Sequence, residues 1–161
     1  MRSMPRYFAF IALVIALPAQ ALDATCALLV DATEKTAQQS ARQSITELGG
    51  GQRMEAIVIE GVLYSKMGGK WMKLKSDFRA TELALAADMR NGAIKLEDCK
   101  NLGNADVDGI ATTVIEYTLK MPGADAVRSK VYIGKDGLIY ALSATETKVR
   151  QRFVGVTAPK L

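Results

Sequence analysis

The chain reads as an α+β protein, a curved antiparallel sheet of about seven strands (an incomplete β-barrel) over an N-terminal helix with one short helical insertion. Three observations predict this. An apolar stripe of helical period runs over residues 25–48, and beyond Gly49-Gly50-Gly51 the period changes to two for most of the chain. The strand-like segments follow one another across short turns bearing glycine or proline. They lack the regularly alternating helices of a βαβ sheet.

Before the first helix lies a segment of a different kind. Arg2 and Arg6 precede FAFIALVIAL at residues 8–17, an uncharged apolar run closed by Pro18 and the small-x-small triplet Ala19-Gln20-Ala21. A membrane-spanning helix needs about 20 apolar residues, and this run is half that length. Residues 1–21 are therefore expected to be a cleaved secretory signal, leaving residues 22–161 as a single domain in the periplasm with no transmembrane segment. Cys26 does not read as a lipidation site, because Asp23-Ala24-Thr25 before it is not a small apolar run.

The helix over 25–48 is read from Cys26, Leu29, Thr33, Ala37, Ala41, Ile45 and Leu48, with polar residues largely off that stripe. The three glycines are expected to cap it and act as a hinge. Residues 54–59 are apolar on both faces. Residues 62–67 and 70–75 form a hairpin about Gly68-Gly69, a pair suited to a tight primed turn. That turn places Leu63, Met67, Met72 and Leu74 on one face, and Tyr64, Lys66, Trp71 and Lys73 on the other. Residues 76–90 read as a short helix with Ser76 as cap and Asn91-Gly92 as stop. Strands follow at 94–100, 111–121, 129–133, 138–147 and 148–156. In the second of these Thr113, Ile115, Tyr117, Leu119 and Met121 share a face. In the fourth, Leu138, Tyr140, Leu142 and Ala144 do. Such a meander either curls around the helix as an incomplete barrel or packs as an ordinary α+β layer.

Charge and composition exclude several functions. The whole chain carries a formal charge of +4, but residues 1–21 hold two arginines and no acid, so the remainder has 19 basic against 17 acidic residues and a charge of +2. No basic stripe with interleaved aromatic residues exists, which argues against nucleic acid. There is no histidine, hence neither the commonest general base nor the commonest metal ligand. No serine sits in a G-x-S-x-G elbow. Ser65-Lys66 and Ser129-Lys130 put serine and lysine on opposite strand faces. Glu55 with Glu60, and Glu97 with Asp98, are carboxylates adjacent only in sequence. Asp106-Val107-Asp108-Gly109 lacks the glutamate of a calcium loop, since the twelfth position is Tyr117, and reads as a polar turn. The glycine triplet follows a helix rather than leading into one, the wrong polarity for a phosphate cradle. No catalytic residues, no metal site and no cofactor are therefore expected. Cys26 and Cys99, an even pair in an exported chain, are expected to form a disulfide.

The remaining candidate is the apolar interior. Met54, Leu63, Met67, Met72, Leu74, Ile115, Tyr117, Leu119 and Tyr140 are candidates for the wall of an apolar binding cavity, with methionine supplying an adaptable lining. The same residues also read as ordinary core.

One resemblance bears on this choice. Residues 131–139 (VYIGKDGLI), the ATET of 144–147 and the closing FVGVTAP of 153–159 resemble the last strands of the periplasmic lipoprotein-carrier (LolA-like) family. The order of leader, first helix, strands around Tyr64 and Gly69-Lys70-Trp71, and insertion at 76–90 is similar too. The resemblance implies an unclosed, strongly curved sheet over a plug helix, 25–48, and a lid, 76–90, with lipid acyl chains held in the hollow. It also implies an arginine that holds the lid. Arg42, Arg53 and Arg79 are all conceivable for it, and each reads more readily as a surface arginine. The chain is short for such a carrier. Lipid or acylated protein is thus one expected partner. An envelope protein docking on the sheet or its edge, with a filled core and no ligand, is the other.

Overall fold

The structure is a computed structural model, and it describes residues 22–161. The expected leader and its cleavage point lie outside the described residues, apart from Leu22. Helix α1 (Ala24–Ala37) leads into four strands, β1 (Ala41–Leu48), β2 (Arg53–Ile59), β3 (Val62–Met67) and β4 (Lys70–Asp77). Helix α2 (Phe78–Asn91) follows, then β5 (Lys95–Val107), β6 (Ile110–Lys120), β7 (Val127–Gly134), β8 (Ile139–Ser143) and β9 (Thr147–Arg152). All neighbours pair antiparallel in one open sheet of nine strands, ordered β4-β3-β2-β1-β9-β8-β7-β6-β5. The α+β class with a curved, unclosed sheet is as the sequence predicts, with nine strands in place of about seven.

The principal correction is at residues 25–48, which are not one helix. Helix α1 stops at Ala37, with Gln38 as its C-cap and the Gln39 side chain donating to the Lys35 carbonyl at 3.1 Å. Residues 41–48 form β1, which is bonded on both sides, to β2 and β9. The spacing Ala37, Ala41, Ile45, Leu48 mimics a helical stripe, but two flanking ladders override the local preference. Gly49-Gly50-Gly51 accordingly forms the β1–β2 turn, with Gly50 at φ 81° and Gly51 at φ 79°, a region glycine enters without steric cost.

Caps explain both helices. The Asp23 carboxylate accepts from the amides of Thr25 at 2.8 Å and Cys26 at 3.3 Å, filling vacant donors of the first turn of α1. Asp77, not Ser76, caps α2, accepting from the Ala80 amide at 3.0 Å, and Ser76 belongs to β4. Gly92 at φ 82° ends α2, as the Asn91-Gly92 signal predicts. Three strand boundaries also differ from expectation, and one of them is the end of β9, which stops at Arg152 where a strand to residue 156 is predicted. β5 runs on to Val107 through irregularities at 97–100 and 101–103, and residues 144–146 turn the chain where a continuous strand is predicted.

Helix α2 leaves one edge strand of the sheet, β4, and delivers the chain to the opposite edge, β5. Nine flat strands would hold those edges about 38 Å apart. A helix of 14 residues spans about 21 Å. The sheet must therefore curl to let α2 join its edges. α1 packs against α2, β5, β6 and β8, so both helices lie on one face.

Two clusters fill that interface. Leu29 and Ala32 of α1 meet Ile115, Tyr117, Val131 and Ile139 of the sheet, and Val30 meets Ala86, Met89 and Ile94 beneath α2. Cys26 and Cys99 are disulfide-bonded with Cα atoms 5.4 Å apart, fastening the start of α1 to β5. The opposite face of the sheet carries the ion pairs Arg150–Glu47 at 3.0 Å and Arg128–Glu116 at 2.7 Å beside the buried Ile57, Val114 and Ala141.

Candidate functional site

Strand register assigns each predicted wall residue to a face, because antiparallel partners project to the same side. Arg42 of β1 reaches the helices, so its partner Val58 and the alternating Ala56 and Met54 share the helix face. Leu63 and Met67 follow by pairing with β2, and Met72 and Leu74 by pairing with β3. Ile115, Tyr117 and Leu119 lie on the same face, packed against α1. All the candidates except Tyr140 thus share one side of the sheet.

They do not share one environment. Ile115 and Tyr117 are buried beneath α1, whereas Met54, Met67, Met72 and Leu74 are exposed. The helices therefore cover the β5–β9 half of their face and, on the β2–β4 wing, bury Val58 but leave Met54, Met67, Met72 and Leu74 uncovered. Tyr140 stands apart. A register shift between Tyr132 and Ile133 makes it the extra residue of a bulge in β8, which breaks the alternation predicted for Leu138, Tyr140 and Leu142. Ile139 and Leu142 join the helix-side core. The Tyr140 ring instead packs edge-on against Phe153 at 5.3 Å, and its hydroxyl donates to the Asp136 carboxylate at 2.7 Å. Burial first, and then Asp136, push the Tyr140 phenol up to about 12.

Between the helices and the sheet lies a cavity of about 180 Å³. α1 contributes Leu29, Thr33 and Thr36, and α2 contributes Glu82, Leu85 and Met89. Tyr117, Leu119, Ile139, Leu142 and Gln151 form its floor. Its lining is mainly apolar, and burial raises the Tyr117 phenol, opposed by the nearby Ser129 hydroxyl, so the ring stays neutral. The Gln151 Oε1 atom is buried without a hydrogen-bond partner among the described residues. Filled core and hollow are thus both present, the first under the N-terminal half of α1 and the second between α1 and α2.

One residue that the sequence does not single out as buried closes this chamber. Arg42 is 3% exposed. Its Nη1 donates to the Thr36 carbonyl at 2.8 Å, at the negative end of the α1 dipole, and its Nη2 donates to the Glu82 carboxylate of α2. The guanidinium also lies 5.6 Å from the Phe78 ring centroid. Arg42 therefore ties both helices to β1 at one end of the chamber. At the far end of α2, Arg90 reaches Asp31 and Glu34 of α1, both at 2.9 Å. By contrast, Arg53 and Arg79 make longer contacts, to Glu55 at 4.0 Å and Glu60 at 3.5 Å. The signal for Arg42 was available, because it begins an alternating Arg42-Ser44-Thr46 pattern, but only once residues 41–48 are read as a strand.

Chemically the site offers shape and apolarity. Among the described residues no three His, Cys, Asp or Glu side chains gather as metal ligands, and no helix is long and apolar enough to cross a membrane. The sequence matches no family model and no curated protein. The fold, however, is found in solved structures. LprF from Mycobacterium bovis overlays with a TM-score of 0.55 at 12% identity, over 84% of this chain and 96% of that one. The Mycobacterium tuberculosis lipoprotein LppX overlays with a TM-score of 0.55 at 16% identity, over 83% of this chain and 97% of that one. These similarities establish a shared fold across essentially the whole of both mycobacterial chains.

Proposed function

We propose that this protein is an exported, non-catalytic binder or carrier of an apolar ligand, a lipid or the acyl chains of a lipoprotein. The ligand would be held between the helix pair and the sheet. The observation that carries this reading is that one face of the sheet bears both a mainly apolar chamber beneath the helices and, beyond β1, the exposed Met54, Met67, Met72 and Leu74. The resemblance of residues 131–139, 144–147 and 153–159 to the lipoprotein carriers points the same way, as does the fold shared with LprF and LppX. In this reading residues 1–21 are removed on export. The Cys26–Cys99 disulfide suits an oxidising compartment such as the periplasm.

Size indicates how such a protein would load. An apolar void of about 150 Å³ admits a benzene-sized guest, and ligand pockets for larger molecules run to about 300–1,000 Å³. The chamber, at about 180 Å³, holds only a short piece of chain when closed. Loading a full acyl chain then requires the helices to part. α1 is fastened covalently to β5, so α2 is the element free to move, held by Arg42–Glu82 and the Arg90 pairs. Arg42 takes the place of the lid-holding arginine that the resemblance implies.

The test is titration with a fluorescent fatty acid. Saturable binding is expected, and Thr33→Phe, which fills the chamber from α1, should weaken it at least tenfold while leaving the circular dichroism spectrum intact. Absence of binding by the folded wild type contradicts the proposal. A second reading, an envelope interaction module, rests on the same exposed wall and the free β4 edge. It predicts a protein partner retained by both proteins and no fatty-acid binding.

A further inference from the structure

The β3–β4 hairpin, which shares Met67, Met72 and Leu74 with the proposed ligand wall, also carries a concentration of charge that ligand carriage does not use. From Val62 to Ser76 it contains Lys66, Lys70, Lys73 and Lys75 and no acidic residue. Around its Gly68-Gly69 turn stand Met67, 60% exposed, and Met72, 43% exposed, with Leu74 further along β4. Trp71 and Tyr64 lie on the other face of the same hairpin, and Lys66 Nζ sits 5.7 Å from the Trp71 ring centroid. Neighbouring acids neutralise little of this charge. Glu55 is shared between Lys66 at 3.7 Å and Arg53 at 4.0 Å, and Asp77 is occupied as the α2 cap. Lys70, Lys73 and Lys75 have no carboxylate within ion-pair distance among the described residues. The hairpin ends the sheet, so among the described residues no further strand pairs with β4.

We propose that this hairpin docks the protein on an anionic lipid bilayer. The tip residues Met67, Trp71 and Met72 would enter the headgroup–acyl boundary, and the lysines would sit among the phosphates. The chemistry suits that surface better than a protein. Amphipathic residues with an apolar body and a polar tip belong at a membrane interface. Unpaired lysines gain most from a dense field of negative headgroups, each being worth about fivefold in partitioning near such a surface. The arrangement is two-sided, with methionine on one face and tryptophan on the other. That suits a tip inserted end-on rather than a flat face pressed against a partner. The chain as a whole supplies no such attraction, since the charge beyond residue 21 is only +2, so the effect is local to the hairpin.

Trp71 is the only tryptophan, so its emission reports this hairpin alone. The protein is isolated in the form an exporting bacterium produces and mixed with vesicles of phosphatidylcholine, with or without phosphatidylglycerol. Co-sedimentation and a blue shift of Trp71 are expected with the anionic vesicles only, both reversed by high salt. Lys70→Gln/Lys73→Gln/Lys75→Gln should lower partitioning on the order of 100-fold. Met67→Ser/Met72→Ser should retain part of the sedimentation but lose the blue shift. Lys95→Gln/Lys100→Gln, at the opposite edge, should behave as wild type, and this comparison subtracts any contribution from the apolar amino-terminal run. Three results each overturn the proposal: equal binding to neutral vesicles, no sedimentation with anionic ones, or an unaffected triple variant. Ligand carriage can fail while this succeeds, because fatty-acid titration reads the chamber and sedimentation reads the hairpin.

Discussion

Arg42 is the residue on which the two helices depend. A buried guanidinium that loses its partners, or partners that lose the guanidinium, leave polar groups desolvated, which costs more than the intact pair contributes. Arg42→Ala leaves the Thr36 carbonyl with the Gln39 amide alone and the Glu82 carboxylate without its partner, and should lower stability by about 3 kcal/mol. Urea unfolding measures this, and a loss below half a kcal/mol would show that α2 is held elsewhere. Arg42→Lys should recover only part, since ammonium cannot span both acceptors in one plane. A second residue-scale prediction concerns Tyr140. Its folded phenol titrates at about 12 against an ordinary 10.0. The folded state therefore keeps the proton where the unfolded chain releases it. Stability from this group is complete below pH 10 and declines as pH rises towards about 12. Phenolate absorbance, taken as the difference between wild type and Tyr140→Phe, should show the high midpoint, and Asp136→Asn should lower it. The burial of Arg42 is legible in the sequence only once residues 41–48 are read as a strand, because its place on the helix-facing side follows from the ladders to β2 and β9. Tyr140 was misplaced because a bulge is a tertiary event that breaks the period on which face assignment depends.

At the scale of elements, legibility followed the strength of local signals. The β3–β4 hairpin was read correctly down to its faces, because Gly68-Gly69 fixes both turn and register. Helix α2 was legible from its stop at Asn91-Gly92, although its cap lay one residue further on, at Asp77. The segment 41–48 was misread because its apolar spacing fits a helix and only the ladders to β2 and β9 make it a strand. The disulfide gives the prediction at this scale. It closes a separation of 73 residues, for which chain entropy assigns about 4 kcal/mol. Cys26→Ser/Cys99→Ser should lose about that amount in chemical denaturation. Amide exchange should rise first in the opening turn of α1 and in the adjoining part of β5. Uniform loosening of the whole sheet would contradict the account of a local staple.

For the whole molecule, the sequence pointed to the class and the curvature, and the register brings every candidate wall residue but Tyr140 to one face. What the sequence left open was whether the interior is filled or hollow. That depends on how closely two helices approach one sheet, a distance set by many side chains at once. The structure divides the interior, with tight packing where α1 meets β5 and β6 and a chamber of about 180 Å³ where α1, α2 and the β6–β9 floor diverge. On the same face, beyond the polar Arg42-Ser44-Thr46 row of β1, the β2–β4 wing exposes Met54, Met67, Met72 and Leu74, a second apolar surface that parting helices would join to the chamber. The account stands or falls on occupancy of that space. The most direct measurement is native mass spectrometry, with organic extraction, of protein gently isolated from the envelope of an expressing bacterium. The prediction is a fraction carrying a lipid-sized adduct that organic solvent releases and that Thr33→Phe diminishes. Protein that is wholly free of adduct, and equally so in wild type and Thr33→Phe, would contradict it.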